Sequence, residues 1–153
     1  MIAVECFPDE ALLHVIGVPM ARIVHGHGRG NVLNALLQGR VQAGLIDEDP
    51  NGGDLPQLAS FAEHERIGAL VRMAGRNDPD RKLIMICPRL EEWLLRRAAA
   101  GGINPGTFGM PETPQALHRR RRYDILPKYS EFLRALLSVD QEMLALRQWV
   151  LKK

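Results

Sequence analysis

Val41-Gln42-Ala43-Gly44-Leu45-Ile46-Asp47-Glu48-Asp49 decides the reading of this chain, together with its counterpart Met1-Ile2-Ala3-Val4-Glu5. Each is a short apolar run with the composition of a buried strand, and each ends on acid. In open parallel sheets ligands collect outside the carboxyl ends of the strands, so Glu5, Asp47 and Asp49 are expected to share one edge. Carboxylates a few ångströms apart raise one another's pKa. A hard divalent cation would relieve that conflict, which makes the three residues a candidate metal site.

Working outward, strand and helix signals alternate. Ile2 to Glu5 reads as a strand, Asp9 to Val15 as a short helix with Asp9 as N-cap, and Ala21 to His25 as a second strand. A Gly-rich turn, His25 to Gly30, leads into Asn31 as N-cap and a helix whose Val32, Leu33, Leu36 and Leu37 share a face. Val41 to Ile46 is the third strand, and Asp47 to Asp54 is a loop of turn residues. Beyond it the spacing suggests a short helix over 55–63, a strand over 67–73, a turn over 75–80, a strand over 82–87 and a helix over 89–100 stopped by Gly101-Gly102. The Pro- and Gly-rich stretch 104–114 reads as an ordered loop or a lid, and helices over about 128–137 and 140–151 follow. Such alternation implies an α/β fold with a mostly parallel central sheet flanked by helices.

At 153 residues, 46% hydrophobic and 25% charged, the chain is one ordinary domain with its own core. No apolar run approaches the ~20 residues of a membrane helix and no signal-type segment opens it, so no membrane partner and a cytoplasmic location are expected. Cys6 and Cys87 are no disulfide framework. Residues 1–60 carry three Arg against seven carboxylates, and the remainder carries seventeen basic against eleven acidic residues. The basic half contains His118 followed by Arg119, Arg120, Arg121 and Arg122. That cluster is either a phosphate-binding patch or a solvated face.

Each motif has a plain structural reading beside the functional one. On an extended chain, side chains two apart point the same way with alpha carbons ~6.6 Å apart, so Asp47 and Asp49 suit one ion or its waters; the alternative is a polar turn. The Gly-rich turn, with Arg29 inside it, can approach phosphate at a helix start. It completes neither a Walker motif nor a dinucleotide fingerprint, since Leu33 stands where a third Gly would be needed. His25 and His27 have no Cys partner nearby and read as loop residues. Of two adjacent glutamates, Glu92 has Arg96 as an i,i+4 partner and is expected to point to solvent. Glu91 has none and is expected to face the acidic cluster, the alternative being a capping or anchoring role.

These residues carry a resemblance. Val4-Glu5-Cys6-Phe7-Pro8-Asp9-Glu10-Ala11-Leu12-Leu13 is similar to the opening of TOPRIM domains, the module of topoisomerases, primases and overcoming-lysogenization-defect nucleases, and Gly44 to Asp49 resembles their Asp-x-Asp strand. Arg89-Leu90-Glu91-Glu92-Trp93-Leu94-Leu95 is similar to a segment of small TOPRIM-like bacterial proteins. The likeness covers about residues 1–100, leaving 101–153 as a loop and helical extension packed on the same domain. Cys6 departs from it, standing where the family usually has the Gly that lets backbone approach a metal-bound phosphate.

The resemblance implies a metal-dependent nuclease using Mg²⁺ or Mn²⁺, with Glu5 handling the proton and Asp47 and Asp49 holding the ion. Asp9 would support a second ion or orient water, and Arg29 and Arg119 to Arg122 would bind nucleic acid, DNA ahead of RNA; Glu91, by its place on the helix, is expected to join the metal site. Stand-alone relatives often serve in bacterial antiviral defence, so a protein partner in a larger assembly is a further expectation. A catalytically inactive TOPRIM-like module that binds a partner protein or nucleic acid is the alternative. Topoisomerase and primase are disfavoured, because Tyr123 and Tyr129 lie in a basic tail and no zinc-binding segment is present.

Overall fold

Three runs of branched apolar residues, Ile2–Val4 (β1), Ala43–Asp47 (β3) and Lys82–Ile86 (β6), lie side by side in parallel at the centre of a six-stranded sheet. The computed structural model describes residues 1–152. Ile23–His25 (β2) adds in parallel outside β1, and the hairpin of Phe61–Ile67 (β4) and Leu70–Gly75 (β5) adds antiparallel outside β6. The order is β2-β1-β3-β6-β5-β4. The sheet is therefore mostly parallel, and an α/β architecture is established.

Alternation along the strands sends residues to two unequal cores. Ile2, Val4, Leu45, Ile84 and Ile86 face a large core filled by the helices Phe7–Val15 (α1), Leu90–Ala100 (α3), Tyr129–Val139 (α5) and Gln141–Leu151 (α6). Ala3, Ile46 and Leu83 face a smaller one built on the helix Arg29–Leu37 (α2). A last helix, Pro114–Arg119 (α4), packs near α3, with Leu117 fully buried. Among the described residues no helix is long and apolar enough to cross a membrane.

Several local expectations change. The first helix starts at Phe7 and is capped at Cys6, so Asp9 stands at its third position and is not the N-cap. The second helix starts at Arg29 behind Gly28, which places Asn31 inside it. Residues 55–63 are not a helix: a 3-10 turn, Pro56–Ser60, runs into β4. That strand escapes sequence reading because it lies at the sheet edge and exposes Glu63, His64 and Arg66, the charged blunting common on such edges. The stretch 104–114 is ordered, with a 3-10 turn over Pro105–Phe108 capped by Asn104. Both cysteines are free.

Candidate active site

From β1 the chain passes out to β2 on one side and returns across the sheet to β3 on the other, with α1 and α2 on opposite faces. The carboxyl ends of β1 and β3 therefore flank a topological switch point, where this class of sheet opens a crevice. Glu5 follows β1 and Asp47 ends β3. The two are tied together, since Glu5 Oε1 accepts a 2.6 Å hydrogen bond from the Asp47 amide. Asp47 Oδ1 in turn accepts from the Leu90 amide at 3.0 Å, satisfying a free N–H at the start of α3. Each side chain is thereby fixed through one oxygen.

Burial decides the protonation of this group. The Glu5 carboxyl is raised to about 8, first by desolvation and further by the charges of Asp9 and Asp49, against the lowering effect of its hydrogen bond from Asp47. Asp47 is pushed well above the carboxylate range by burial and then by Asp9, Glu5 and Glu91. Glu5 thus holds its proton at neutral pH. Asp9 reaches about 6, mainly through burial.

Asp9 does not line the crevice. It is 3% exposed, and its Oδ2 accepts from both the Cys6 amide (3.2 Å) and the Cys6 thiol (3.1 Å), so it closes the first turn of α1 where a role toward a second ion or water was expected. The crevice residue Cys6 has φ −142° and ψ 169°, ordinary extended backbone that any residue adopts, so its conformation is unstrained. Burial pushes the Cys6 thiol up, keeping it a neutral S–H donor.

The crevice has a volume of about 490 Å³. Glu5, Asp47, Asp49 and Glu91 supply its acids, and Arg89, His118, Arg121 and Tyr123 face them. Glu91 lines the same crevice as Glu5 and Asp47, with its Oε1 accepting from the Tyr123 hydroxyl at 3.4 Å and lying 3.6 Å from His118 Nδ1. Glu92 departs from expectation. Its side chain is only 22% exposed and lies 3.8 Å from Arg89, one turn back, in place of Arg96.

Asp49 also departs from the extended geometry. The strand ends at Asp47, and Asp49 has φ 42°, so the extended spacing on which the pairing with Asp47 was read is not kept. It lies 3.7 Å from Arg89 and 3.9 Å from Arg29. Arg29 donates to the Glu48 carbonyl at 2.7 Å and is 10% exposed, so it braces the loop from within and is not displayed for a phosphate backbone. The basic cluster is likewise divided. Arg121 enters the crevice; Arg122 forms a two-bond pair with Asp124 at 2.9 Å; Arg119 turns back to the Gln115 carbonyl; and Arg120 ends α4.

Among the described residues, no three His, Cys, Asp or Glu side chains stand together so as to hold an ion as they lie. The donor set is nonetheless hard oxygen, and Mg²⁺ is commonly held directly by one or two carboxylates with waters completing its shell. The residues fit such an ion by chemistry, with Asp47 as the fixed donor. Sequence reasoning missed Arg89, His118 and Tyr123 as crevice residues. Arg89 was findable, since it follows β6 at the same sheet edge; His118 and Tyr123 arrive by tertiary packing alone. No protein-family model matches the chain, and no curated protein or solved structure matches it.

Proposed function

We propose that the protein is a TOPRIM-like, metal-dependent nuclease that cleaves phosphodiesters, DNA ahead of RNA, with residues 1–100 as the TOPRIM-like core and 101–153 as a helical extension on it. The observation that carries this reading is the gathering of Glu5, Asp47 and Glu91 from three elements at the switch point of a parallel sheet, with Arg89 and Arg121 across a crevice from them. Acids drawn together in a half-buried crevice carry raised pKa values, as groups at functional sites do.

Asp47, with Asp49 and Glu91, would hold Mg²⁺ or Mn²⁺; when bound, the ion supplies charge neutralisation at the phosphoryl group and orients the attacking oxygen. Glu5 retains a proton near neutral pH, as suits a general acid toward the leaving oxygen. Arg89 and Arg121 contact the phosphate. The cytoplasm is the proposed location, with a defence assembly as the setting and a further protein as partner.

A second reading is favoured by one observation. Asp49 is drawn to Arg29 and Arg89, which offers the module a ready-made cation in place of a metal and suits a binding protein without catalysis. Incubation of plasmid and single-stranded substrates with Mg²⁺ or Mn²⁺, against EDTA, separates the two. Metal-dependent cleavage that Glu5→Gln abolishes supports the nuclease; intact substrate under all conditions supports the binding module.

A further inference from the structure

Beside the crevice stands a column of flat side chains that no catalytic role uses. His25 and His27 stack at 4.0 Å between ring centroids with planes 20° apart. Phe7 meets His25 edge-on at 4.1 Å, and the Arg122 guanidinium lies 3.9 Å over the Phe7 ring. The column is built onto the site: His25 Nε2 donates to the Glu5 carbonyl at 3.0 Å, Phe7 is two residues past Glu5, and Arg122 follows the crevice residue Arg121. It is also open to solvent. His27 and Arg122 at its ends are exposed, and Phe7 is 36% exposed. His27 is held in the left-handed region, φ 58°, which a non-glycine residue adopts at a cost, and that backbone sets its ring on His25.

We infer that this cluster is a stacking platform for an unpaired nucleobase, so that the substrate is single-stranded nucleic acid laid across the crevice with a base on the exposed ring of His27, which His25 and the edge-on Phe7 hold in place. The inference rests on the proposed nuclease reading for its direction, but its contacts are separate from the carboxylates. Paired bases keep their faces buried in the duplex, whereas unpaired bases offer both faces to aromatic and guanidinium planes. A strand whose phosphate lies between Arg89 and Arg121 carries its neighbouring base toward Arg122 and Phe7, because these follow directly on Arg121 and Cys6 along the crevice wall. Stacking reads no base edge, so little sequence preference is expected.

The test uses a fluorescein-labelled oligothymidylate of about twelve nucleotides and a hairpin duplex as probes, in EDTA so that nothing is cut. Fluorescence anisotropy should show the single strand bound about tenfold tighter than the duplex. Phe7→Leu and His27→Asn should each weaken single-strand binding by about 5–100-fold and leave duplex binding unmoved, while His27→Tyr, which keeps a ring, should retain it. Asparagine tolerates the left-handed backbone at this position, so His27→Asn tests the ring and not the fold. Equal affinity for the two probes, or His27→Asn binding like the native chain, overturns the platform. Ring-dependent binding by a protein that cuts nothing with Mg²⁺ or Mn²⁺ overturns the nuclease reading and leaves the platform standing.

Discussion

Glu5 shows how one residue links the site to the stability of the fold. Its folded value near 8 exceeds the ordinary 4.5, so between those two pH values the folded chain holds a proton that the unfolded chain has released. Stability is therefore highest below about 4.5 on this account and falls as pH rises toward 8. Asp9 acts in the same direction, up to about 6. Without metal, melting temperature should drop between about pH 5 and pH 8, and Glu5→Gln should flatten the drop and stabilise the protein by about 1–3 kcal/mol at the upper end of that range. A melting temperature that rises over that interval, or an unchanged slope in the variant, would contradict the assignment. The paired change Asp47→Asn with Asp49→Asn should leave the metal-free protein at least as stable, since the amide oxygen introduced by Asp47→Asn still accepts from the Leu90 amide, while removing most of the Mg²⁺- or Mn²⁺-induced rise in melting temperature. Calorimetric scans with and without metal decide this. Arginines that look alike in sequence should separate: Arg121→Ala should weaken nucleic-acid binding and lower the salt slope by about 1, whereas Arg119→Ala should do neither, as a salt titration of each variant would show.

At the scale of elements, close packing of α2 on the sheet holds β1 and β3 in the arrangement that brings Glu5 to the Asp47 amide. Gly44 allows it. A Cβ there would meet Val32 and Leu36 of α2 at 2.8 Å. Gly44→Ala should cost about 1–3 kcal/mol by forcing these side chains off, and should lengthen the crevice-side contacts that depend on strand spacing. Gly30, inside the same helix with open space around it, should behave oppositely; Gly30→Ala should gain about 0.5–1 kcal/mol. Denaturant titration of the two variants checks the pair, and a matching sign would refute the packing argument. The strands of the parallel half were legible because their apolar runs end at an acid (β1, β3), a glycine (β2) or Cys87-Pro88 (β6). The hairpin was only half legible, because β4 is charged along its edge and its pairing with β5 shifts register between Glu63 and Glu65. The start of α2 was not legible because Asn31 looks like a cap by type, while the turn that Gly28 makes at φ 124° comes three residues earlier.

For the whole molecule, the two terminal helices are core elements. Phe132, Leu133, Leu136, Met143 and Leu146 are fully enclosed in the larger core. A buried polar post fixes them: Glu142 accepts from the Ala69 amide at 2.7 Å and from Trp93 Nε1 at 3.0 Å, and pairs with Arg97 at 2.9 Å. Asp140 adds a second contact to Arg97 and caps α6 through the Met143 amide. Glu142→Ala should destabilise the protein by about 2–4 kcal/mol, because it leaves the Ala69 amide and Trp93 Nε1 without an acceptor and removes one of the two carboxylates on Arg97; a loss under about 1 kcal/mol in chemical unfolding would argue against the post. The sequence placed both helices, over about 128–137 and 140–151, and the reading of 101–153 as an extension packed on the same domain left the docking faces open. It could not show that the segment between them and α3 would deliver His118, Arg121 and Tyr123 to acids near the start of the chain, since that depends on which faces dock. Order along the chain separates two parts of the crevice wall. The acids and Arg89 all precede residue 92, while His118, Arg121 and Tyr123 follow α3. The crevice is therefore assembled by long-range packing, and its acids meet these three residues only when the chain beyond α3 docks.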